Sequence, residues 1–280
     1  MKASDLVIYI GCGTNDHTTI DFTMPDPLAT VVQMDIDPVE LGRSFVNCLP
    51  LLADAKVGLK QLSDAVSEKE RKSWRDTVRA NLKATLRAFD AQLEAAEGMT
   101  PVDLCRAITR TLPDDGIVVS DTGYSAIWSC NHINVKPGQF YTRAAGSLGW
   151  SFPASLGVKC AQPDRPVVCF LGDGAFYYYF NELETAVRNG INTVTVINNN
   201  CGYNQCGAIH EALTGKEEAA DRYQFADVDF SKIAEGFGVW YKRVEKKEDL
   251  DAAIKEALAS GKPALVECMT IRDFHPLAFQ

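Results

Sequence analysis

Short runs of apolar and β-branched residues recur along the chain and alternate with segments of helical periodicity. The pattern predicts strands over residues 6–10, 31–36, 117–120, 167–171, 193–198, 239–244 and 264–269. It predicts helices after Pro38 and over residues 55–62, 100–112, 124–131, 151–161, 181–189, 230–237 and 247–259. Because strands that alternate with helices build parallel sheets covered on both faces, the predicted fold class is α/β.

One stretch departs from this alternation. Residues 63–99 are rich in Glu, Lys, Arg and Ala, and apolar side chains recur at spacings of three and four from Trp74 to Leu93. Such spacing is typical of an amphipathic helix. We interpret the stretch as a single helix that ends at Gly98 and connects two α/β domains, one over residues 1–62 and one over residues 100–280.

The composition excludes several functional classes. The chain is 46% hydrophobic and 23% charged, which is typical of a globular protein and excludes a disordered or low-complexity architecture. It has 28 Lys and Arg against 37 Asp and Glu, a net charge of −9. An acidic surface repels phosphate backbones, so we expect no nucleic-acid partner.

Two features bear on the compartment. The nine cysteines are odd in number and contain no Cys-x-x-Cys, which favours a reducing environment. The apolar run at residues 6–10 is too short for a signal peptide or a membrane span. We therefore expect a cytoplasmic protein with no membrane partner.

Two polar motifs follow neighbouring predicted strands. Residues 172–174 (GDG) come after the strand VVCFL, and residues 198–200 (NNN) end the strand TVTVIN, with one helix between them. Both motifs should therefore emerge at the carboxyl ends of parallel strands, where open α/β sheets bind ligands. Asp173, Asn200 and the carbonyl of Gly202 would supply oxygen ligands for Mg²⁺ or Ca²⁺. The N–H groups of Gly174 and Ala175 at a helix start would face a phosphate.

The surrounding sequence resembles the acetolactate synthase-like family of thiamine diphosphate-dependent enzymes. The resemblance spans residues 100–270 and rests on the Gly-Asp-Gly and Asn-Asn motifs together with residues 145–154 (AGSLGWSFPA), 163–167 (PDRPV) and 181–186 (NELETA). It implies a parallel-sheet domain that binds thiamine diphosphate and Mg²⁺, with the metal held by Asp173, Asn200 and Gly202. The cofactor-binding residues it implies are Asp121, Gly123, Ser147, Leu148, Gly172, Asp173, Gly174, Ala175, Asn200, Gly202, Tyr203 and Asn204.

The first domain resembles the second half of the Rossmann-like central domain of the same family. Some relatives bind FAD or ADP there, but this chain has residues 11–14 (GCGT) where the family commonly has an Arg, which argues against nucleotide binding. An NAD-type dehydrogenase built on Gly11 and Gly13 is a further alternative. It requires a third glycine that residues 14–17 (TNDH) do not supply.

The resemblance also indicates a missing part. In the family, a Glu on a pyrimidine-binding domain drives deprotonation of the cofactor, and nothing in this sequence resembles that domain. Because Met1-Lys2-Ala3 is typical of a translation start, we expect a separate subunit to supply it in a heterotetramer or a larger assembly, rather than a truncated chain.

The resemblance implies a lyase or transferase that decarboxylates a 2-oxo acid or joins it to a second carbonyl compound. Candidates near the reacting centre are Leu148, Tyr124, Tyr203 and Gln205. His132 and His210 are alternative proton carriers, although a lone His is more often structural. Two functional alternatives stay open: a non-catalytic or regulatory subunit, and another thiamine diphosphate C–C lyase such as a 2-hydroxyacyl-CoA lyase.

Overall fold

The computed structural model describes residues 4–215, 222–272 and 274–276. Residues 1–3, on which the interpretation of a translation start depends, lie outside the described residues. The chain divides into two compact units, Met1–Ala80 and Asn81–Gln280. Each unit contains its own parallel sheet, which confirms the predicted α/β class.

The first unit is built on three parallel strands in the order β1-β2-β3. The strands are β1 (Leu6–Ile10), β2 (Thr30–Asp35) and β3 (Cys48–Leu52), and the helices are α1 (Asp16–Thr19) and α2 (Ala55–Ala65). The helix predicted after Pro38 is wrong, because residues 37–47 form turns that lead into β3. Strand β3 was not predicted, because Pro50 is unusual within a strand. The proline is tolerated here because β3 lies at an edge of the three-stranded sheet.

The predicted connecting helix is interrupted. Helix α2 continues to Ala65, and a new helix, α3 (Lys72–Glu94), begins after a break. The division between the two units falls inside α3. Among the described residues, no helix combines the length and the apolar character that a membrane crossing demands.

The second unit contains a six-stranded parallel sheet in the order β5-β4-β6-β7-β9-β8. Its strands are β4 (Ile117–Ser120), β5 (Phe140–Arg143), β6 (Val167–Gly172), β7 (Val194–Asn199), β8 (Trp240–Val244) and β9 (Ala264–Met269). Its helices after α3 are α4 (Pro101–Thr111), α5 (Tyr124–His132), α6 (Ser151–Ala161), α7 (Asp173–Tyr179), α8 (Glu182–Asn189), α9 (Asn204–Thr214), α10 (Phe230–Phe237) and α11 (Leu250–Ala259).

Strand β6 shows why this sheet is buried on both faces. Val168 and Phe170 pack into one apolar core, whereas Cys169 and Leu171 pack into the other. Successive side chains of a strand point to opposite faces, so a continuous apolar run fills two cores at once. Helix α4 begins as predicted, with a reciprocal cap between Thr100 and Asp103. Strand β5 was not predicted.

The strand order reverses next to β4. The chain passes from β4 to β5 on one side and then returns to β6 on the other side. Such a switch point leaves a crevice at the carboxyl ends of the strands, and ligands bind there in open α/β sheets.

Candidate functional site

A cavity of about 290 Å³ lies at the carboxyl ends of β4, β6 and β7. It is lined by Thr122, Gly123, Tyr124, Ser125, Gly146, Leu148, Gly172, Asp173, Gly174, Ala175, Asn198, Asn200, Gly202, Tyr203, Asn204, Gln205 and Cys206. All of the predicted site residues belong to this lining except two, Asp121 and Ser147. The residues that the sequence did not indicate are Thr122, Ser125, Gly146, Asn198 and Cys206.

The Asp173 carboxylate joins two of the loops around the cavity. It begins α7, it is 2% exposed, and its oxygens accept hydrogen bonds from Gly174 N (2.9 Å) and Gly202 N (3.0 Å). Burial raises the pKa of Asp173 to about 7, although hydrogen bonds from backbone N–H groups oppose the shift. A bound cation would offset this desolvation. Because Gly174 N–H binds Asp173, Ala175 is the more available donor to a phosphate.

Asn200 supplies an acceptor that the protein itself does not fill. Its Oδ1 atom is buried and has no hydrogen-bond partner in the described part of the chain. A buried polar atom without a partner is costly, and a cation near Asp173 would remove that cost. No group of three His, Cys, Asp or Glu side chains among the described residues could hold a metal. A carboxylate, an amide oxygen and the Gly202 carbonyl are nevertheless a donor set that fits Mg²⁺.

Gly174 is required by the close approach of an aromatic ring. A Cβ atom at this position would lie 2.3 Å from Cε1 of Tyr203. The Tyr203 ring in turn packs edge-on against Phe225, with 4.6 Å between the ring centroids. The second glycine of the motif therefore allows Tyr203 to pack against the start of α7.

Gly123 and Gln205, two further candidates, lie close together in the cavity lining. Gly123 has a φ of +69°, and a Cβ atom there would lie 3.0 Å from Oε1 of Gln205. Burial raises the pKa of Tyr124 to about 12. Burial, with a hydrogen bond that the Tyr203 hydroxyl donates to Tyr178, raises the pKa of Tyr203 to about 12. Both phenols are therefore protonated at neutral pH.

Asp121 supports the site from behind instead of lining it. Its fully buried carboxylate accepts hydrogen bonds from Thr122 N (2.9 Å), Gly149 N (3.0 Å) and Ser151 N (2.8 Å). These bonds hold the loop before α6, which places Leu148 in the cavity wall. Ser147, on the same loop, is exposed and lies outside the lining.

The two candidate histidines also lie outside the lining. His132 stacks on Phe89 with 5.0 Å between ring centroids, and burial together with Arg106 lowers its pKa. His210 pairs through Nδ1 with the hydroxyl of Tyr223 at 3.0 Å. Neither is placed to exchange a proton within the cavity.

Arg272 was not indicated by the sequence. Its Nε and Nη2 atoms donate to the carbonyls of Asn200 and Cys201, each at 3.2 Å. Its own carbonyl accepts a 2.6 Å hydrogen bond from Asn204 Nδ2. Arg272 therefore fixes the loop that carries Asn200, from a position 72 residues further along the chain.

The Gly11–Gly13 loop of the first unit has a different environment. Thr14, directly after it, is fully buried and donates to Ser44 Oγ at 3.0 Å. Gln33 binds the carbonyl of Glu40 (3.0 Å) and the N–H of Gly42 (2.8 Å). This polar cluster ties the end of β1 to the turns at residues 37–47.

The chain is similar to several proteins whose names refer to acetolactate synthase or thiamine pyrophosphate. It is 27% identical to "Probable acetolactate synthase large subunit" of Methanococcus aeolicus, over 95% of this chain and 47% of the relative. It is 27% identical to "Acetolactate synthase isozyme 1 large subunit" of Escherichia coli K12, over 95% and 47%. "Putative thiamine pyrophosphate-containing protein YdaP" of Bacillus subtilis 168 is 24% identical, over 96% and 46%. The chain thus spans about half the length of the curated relatives it matches.

Two family models match the chain. "Thiamine pyrophosphate enzyme, C-terminal TPP binding domain" matches residues 121–268, which contain the whole cavity lining. "Thiamine pyrophosphate enzyme, central domain" matches residues 1–62. With more than half of its length matched by the C-terminal domain alone, the chain belongs to the thiamine pyrophosphate enzyme family.

Proposed function

We propose that this chain carries the metal–diphosphate half of the active site of a thiamine diphosphate-dependent enzyme that acts on a 2-oxo acid. The reaction would be decarboxylation, or carboligation of the acetolactate synthase type. The observation that carries the proposal is the unpartnered, buried Oδ1 atom of Asn200, which faces the same cavity as the desolvated Asp173 carboxylate. The names of the relatives support the substrate class.

The residues divide the work between binding and orientation. Asp173, Asn200 and the Gly202 carbonyl would hold Mg²⁺, and Ala175 N–H would bind the diphosphate. Thiamine diphosphate, when bound, supplies the carbon nucleophile and the electron sink. Leu148 would support the cofactor in the cavity. Tyr124, Tyr203 and Gln205 would face the substrate, and the two phenols would act as hydrogen-bond donors because their pKa values are raised.

A second polypeptide would complete the site. None of the described residues that line the cavity is a glutamate, whereas the family uses a Glu on a pyrimidine-binding domain to activate the cofactor. We propose that a separate subunit supplies this domain in a heterotetramer or a larger assembly. Affinity purification of this chain from its host should recover that subunit. Tight thiamine diphosphate binding and turnover of a 2-oxo acid by the purified chain alone would contradict this.

Replacement of Asp173 tests the catalytic assignment. In the assembled complex, Asp173→Ala should lower activity more than about 100-fold, because the metal loses its charged ligand. Asp164→Ala, at an exposed position outside the lining, is the matched control and should leave activity unchanged. Full activity of the Asp173→Ala complex would favour a non-catalytic or regulatory subunit. Assays on a 2-oxo acid and on a 2-hydroxyacyl-CoA would separate the two catalytic alternatives.

A reducing compartment, and thus the cytoplasm, is part of the proposal. All nine cysteines are free thiols, including Cys206 at the cavity wall. A structural disulfide in the native protein, detected by thiol counting, would contradict it.

A further inference from the structure

Residues 200–202 form the loop that carries the proposed metal ligands, and we call it the metal loop. The loop turns at Cys201, whose φ of +54° is in the left-handed region. This conformation is unfavourable for a residue with a side chain, so the surrounding structure must hold it. Arg272 occupies the two carbonyls of the turn, at Asn200 and Cys201.

The N–H groups of the turn are also occupied. Gly202 N–H donates to Asp173 at 3.0 Å, as described above. Cys201 N–H donates to Oδ1 of Asn199, also at 3.0 Å. Asn199 is only 3% exposed and does not line the cavity. It therefore contacts the loop from the buried interior, on the side away from the cavity.

Asn199 can act in this way only if its amide has one orientation. Its Nδ2 atom donates to Oε1 of Glu267 at 2.6 Å, and Glu267 is fully buried in β9. The other carboxylate oxygen of Glu267 accepts the hydroxyl of Tyr241. A carboxylate only accepts hydrogen bonds, so it selects the NH₂ end of the amide and leaves the oxygen facing the metal loop. If the amide were reversed, its NH₂ group would face the N–H of Cys201, and two donors would lie against each other.

We propose that Glu267 and Asn199 are positioning residues for the metal loop. Glu267 fixes the amide of Asn199, Asn199 fixes the N–H of Cys201, and the turn at Cys201 then directs Gly202 N–H to Asp173 and leaves Asn200 Oδ1 free for the cation. The inference rests on the proposed function only in identifying the cation site. The hydrogen bonds it uses lie wholly within the second unit.

The test compares three variants of the complex isolated through this chain. Asn199→Leu removes both hydrogen bonds of the amide, the one accepted from Cys201 N–H and the one donated to Glu267. Glu267→Gln keeps an oxygen for Asn199 while its amide donates to the Tyr241 hydroxyl. Tyr241→Phe is the matched control, because it removes a hydrogen bond from the same buried carboxylate without changing the Asn199 side of it.

Binding of Mn²⁺ with inorganic diphosphate, followed by electron paramagnetic resonance, is the first readout. Asn199→Leu should weaken binding by about 10- to 100-fold, the usual effect of losing a residue that orients a metal ligand. Glu267→Gln keeps an acceptor for Asn199, so its affinity should stay within about 3-fold of the wild type. Tyr241→Phe should also stay within about 3-fold, even if its melting temperature falls. Wild-type affinity in Asn199→Leu, or an equal loss in Tyr241→Phe, would overturn the proposal.

Hydrogen exchange of the metal-free protein is the second readout, and it separates this inference from the proposed function. The amides of Cys201 and Gly202 should exchange about tenfold faster in Asn199→Leu than in the wild type, and at the wild-type rate in Tyr241→Phe. Unchanged exchange in Asn199→Leu would overturn the positioning role. Failure of the wild type to bind Mn²⁺ with diphosphate would instead overturn the proposed function, and the exchange rates would still decide whether Asn199 holds the loop.

Discussion

The chain contains two Gly-x-Gly loops that each follow a parallel strand, and they differ in what surrounds them. Gly11 and Gly13, after β1, are exposed, and a Cβ atom on either would meet no atom within 4 Å. Asp173 and Gly174, after β6, are buried and line a cavity. The same short motif therefore ends in open space in one unit and in a candidate active site in the other.

Strand position explains the difference. Strand β1 is at the edge of its sheet and pairs with β2 alone among the described strands, whereas β6 lies between β4 and β7. A loop after a central strand has loops from two neighbours beside it, here those of Gly123 and Gly202, and together they enclose a cavity. In this chain, the motif after the central strand β6 lines a cavity, whereas the motif after the edge strand β1 has open space around both of its glycines.

Substitution of the middle residue of each motif should give the largest difference, measured as the affinity for Mg²⁺ with diphosphate. Asp173→Asn should weaken binding of Mg²⁺ with inorganic diphosphate by more than about 100-fold, because the buried carboxylate is the charged ligand. Cys12→Ser, at the equivalent place in the first unit, should change it by less than about 2-fold. Isothermal titration calorimetry measures both. Comparable losses in the two variants would remove the distinction between the loops.

Substitution of the second glycine of each motif should change the free energy of unfolding by different amounts. Gly174→Ala places a methyl group 2.3 Å from the Tyr203 ring, so we expect a loss of about 1–3 kcal/mol in the free energy of unfolding. Gly13→Ala has open space and should stay within about 0.5 kcal/mol of the wild type. Urea denaturation of the metal-free protein checks the pair, and a tolerated Gly174→Ala would show that Tyr203 is not held against α7.

At the first glycine of each motif, we expect smaller changes in the free energy of unfolding. Here the substitution in the first unit should be the more destabilising one. Gly11 has a φ of +55°, so Gly11→Ala should cost about 1–2 kcal/mol. Gly172 has a φ of −87° and its nearest atoms would be 3.8 Å from a Cβ atom. Gly172→Ala should therefore be neutral or stabilise the metal-free protein by about 0.5 kcal/mol. If Gly172→Ala proved the more damaging in the same denaturation series, the φ-based explanation would fail.

Sequence patterns predicted the interior of the fold better than its edges. Strand β6 is an apolar run up to Gly172, and β7 begins as a β-branched run before its two asparagines, because both faces of these strands are buried. Such runs can be recognised in the sequence. Strands β3 and β5 lie at sheet edges and contain no buried residue. Pro50 interrupts β3, and β5 ends in Thr142 and Arg143, so neither is the apolar run by which β6 is recognised. The break after α2 also escaped prediction, because residues 66–71 are as polar as the helices on either side of them.

For the candidate site, the sequence predicted the residues at strand ends. It did not predict the residues that are distant in sequence and reach the site only in the folded chain. Asp173 and Asn200 come directly after the last residues of β6 and β7, and a position at a strand end can be predicted from the local sequence. Arg272 binds the metal loop from 72 residues away, and Glu267 binds Asn199, next to that loop, from 68 residues away. The pairing of β7 with β9 creates this proximity. The family resemblance implied that Asp121 binds the cofactor. In the structure its oxygens accept hydrogen bonds from three backbone N–H groups, which only the folded loops bring together.

The proposed function requires that Asp173, Asn200 and Gly202 hold a divalent cation that carries a diphosphate. Its most direct test is a crystal structure of the complex grown with Mn²⁺ and thiamine diphosphate, with an anomalous difference map recorded for manganese. We expect a single strong peak in the cavity, within about 2.3 Å of a carboxylate oxygen of Asp173 and of Asn200 Oδ1, with diphosphate oxygens completing the coordination. A bound cofactor whose manganese lies elsewhere, with Asn200 Oδ1 turned to a protein partner, would show that these residues do not form the metal site.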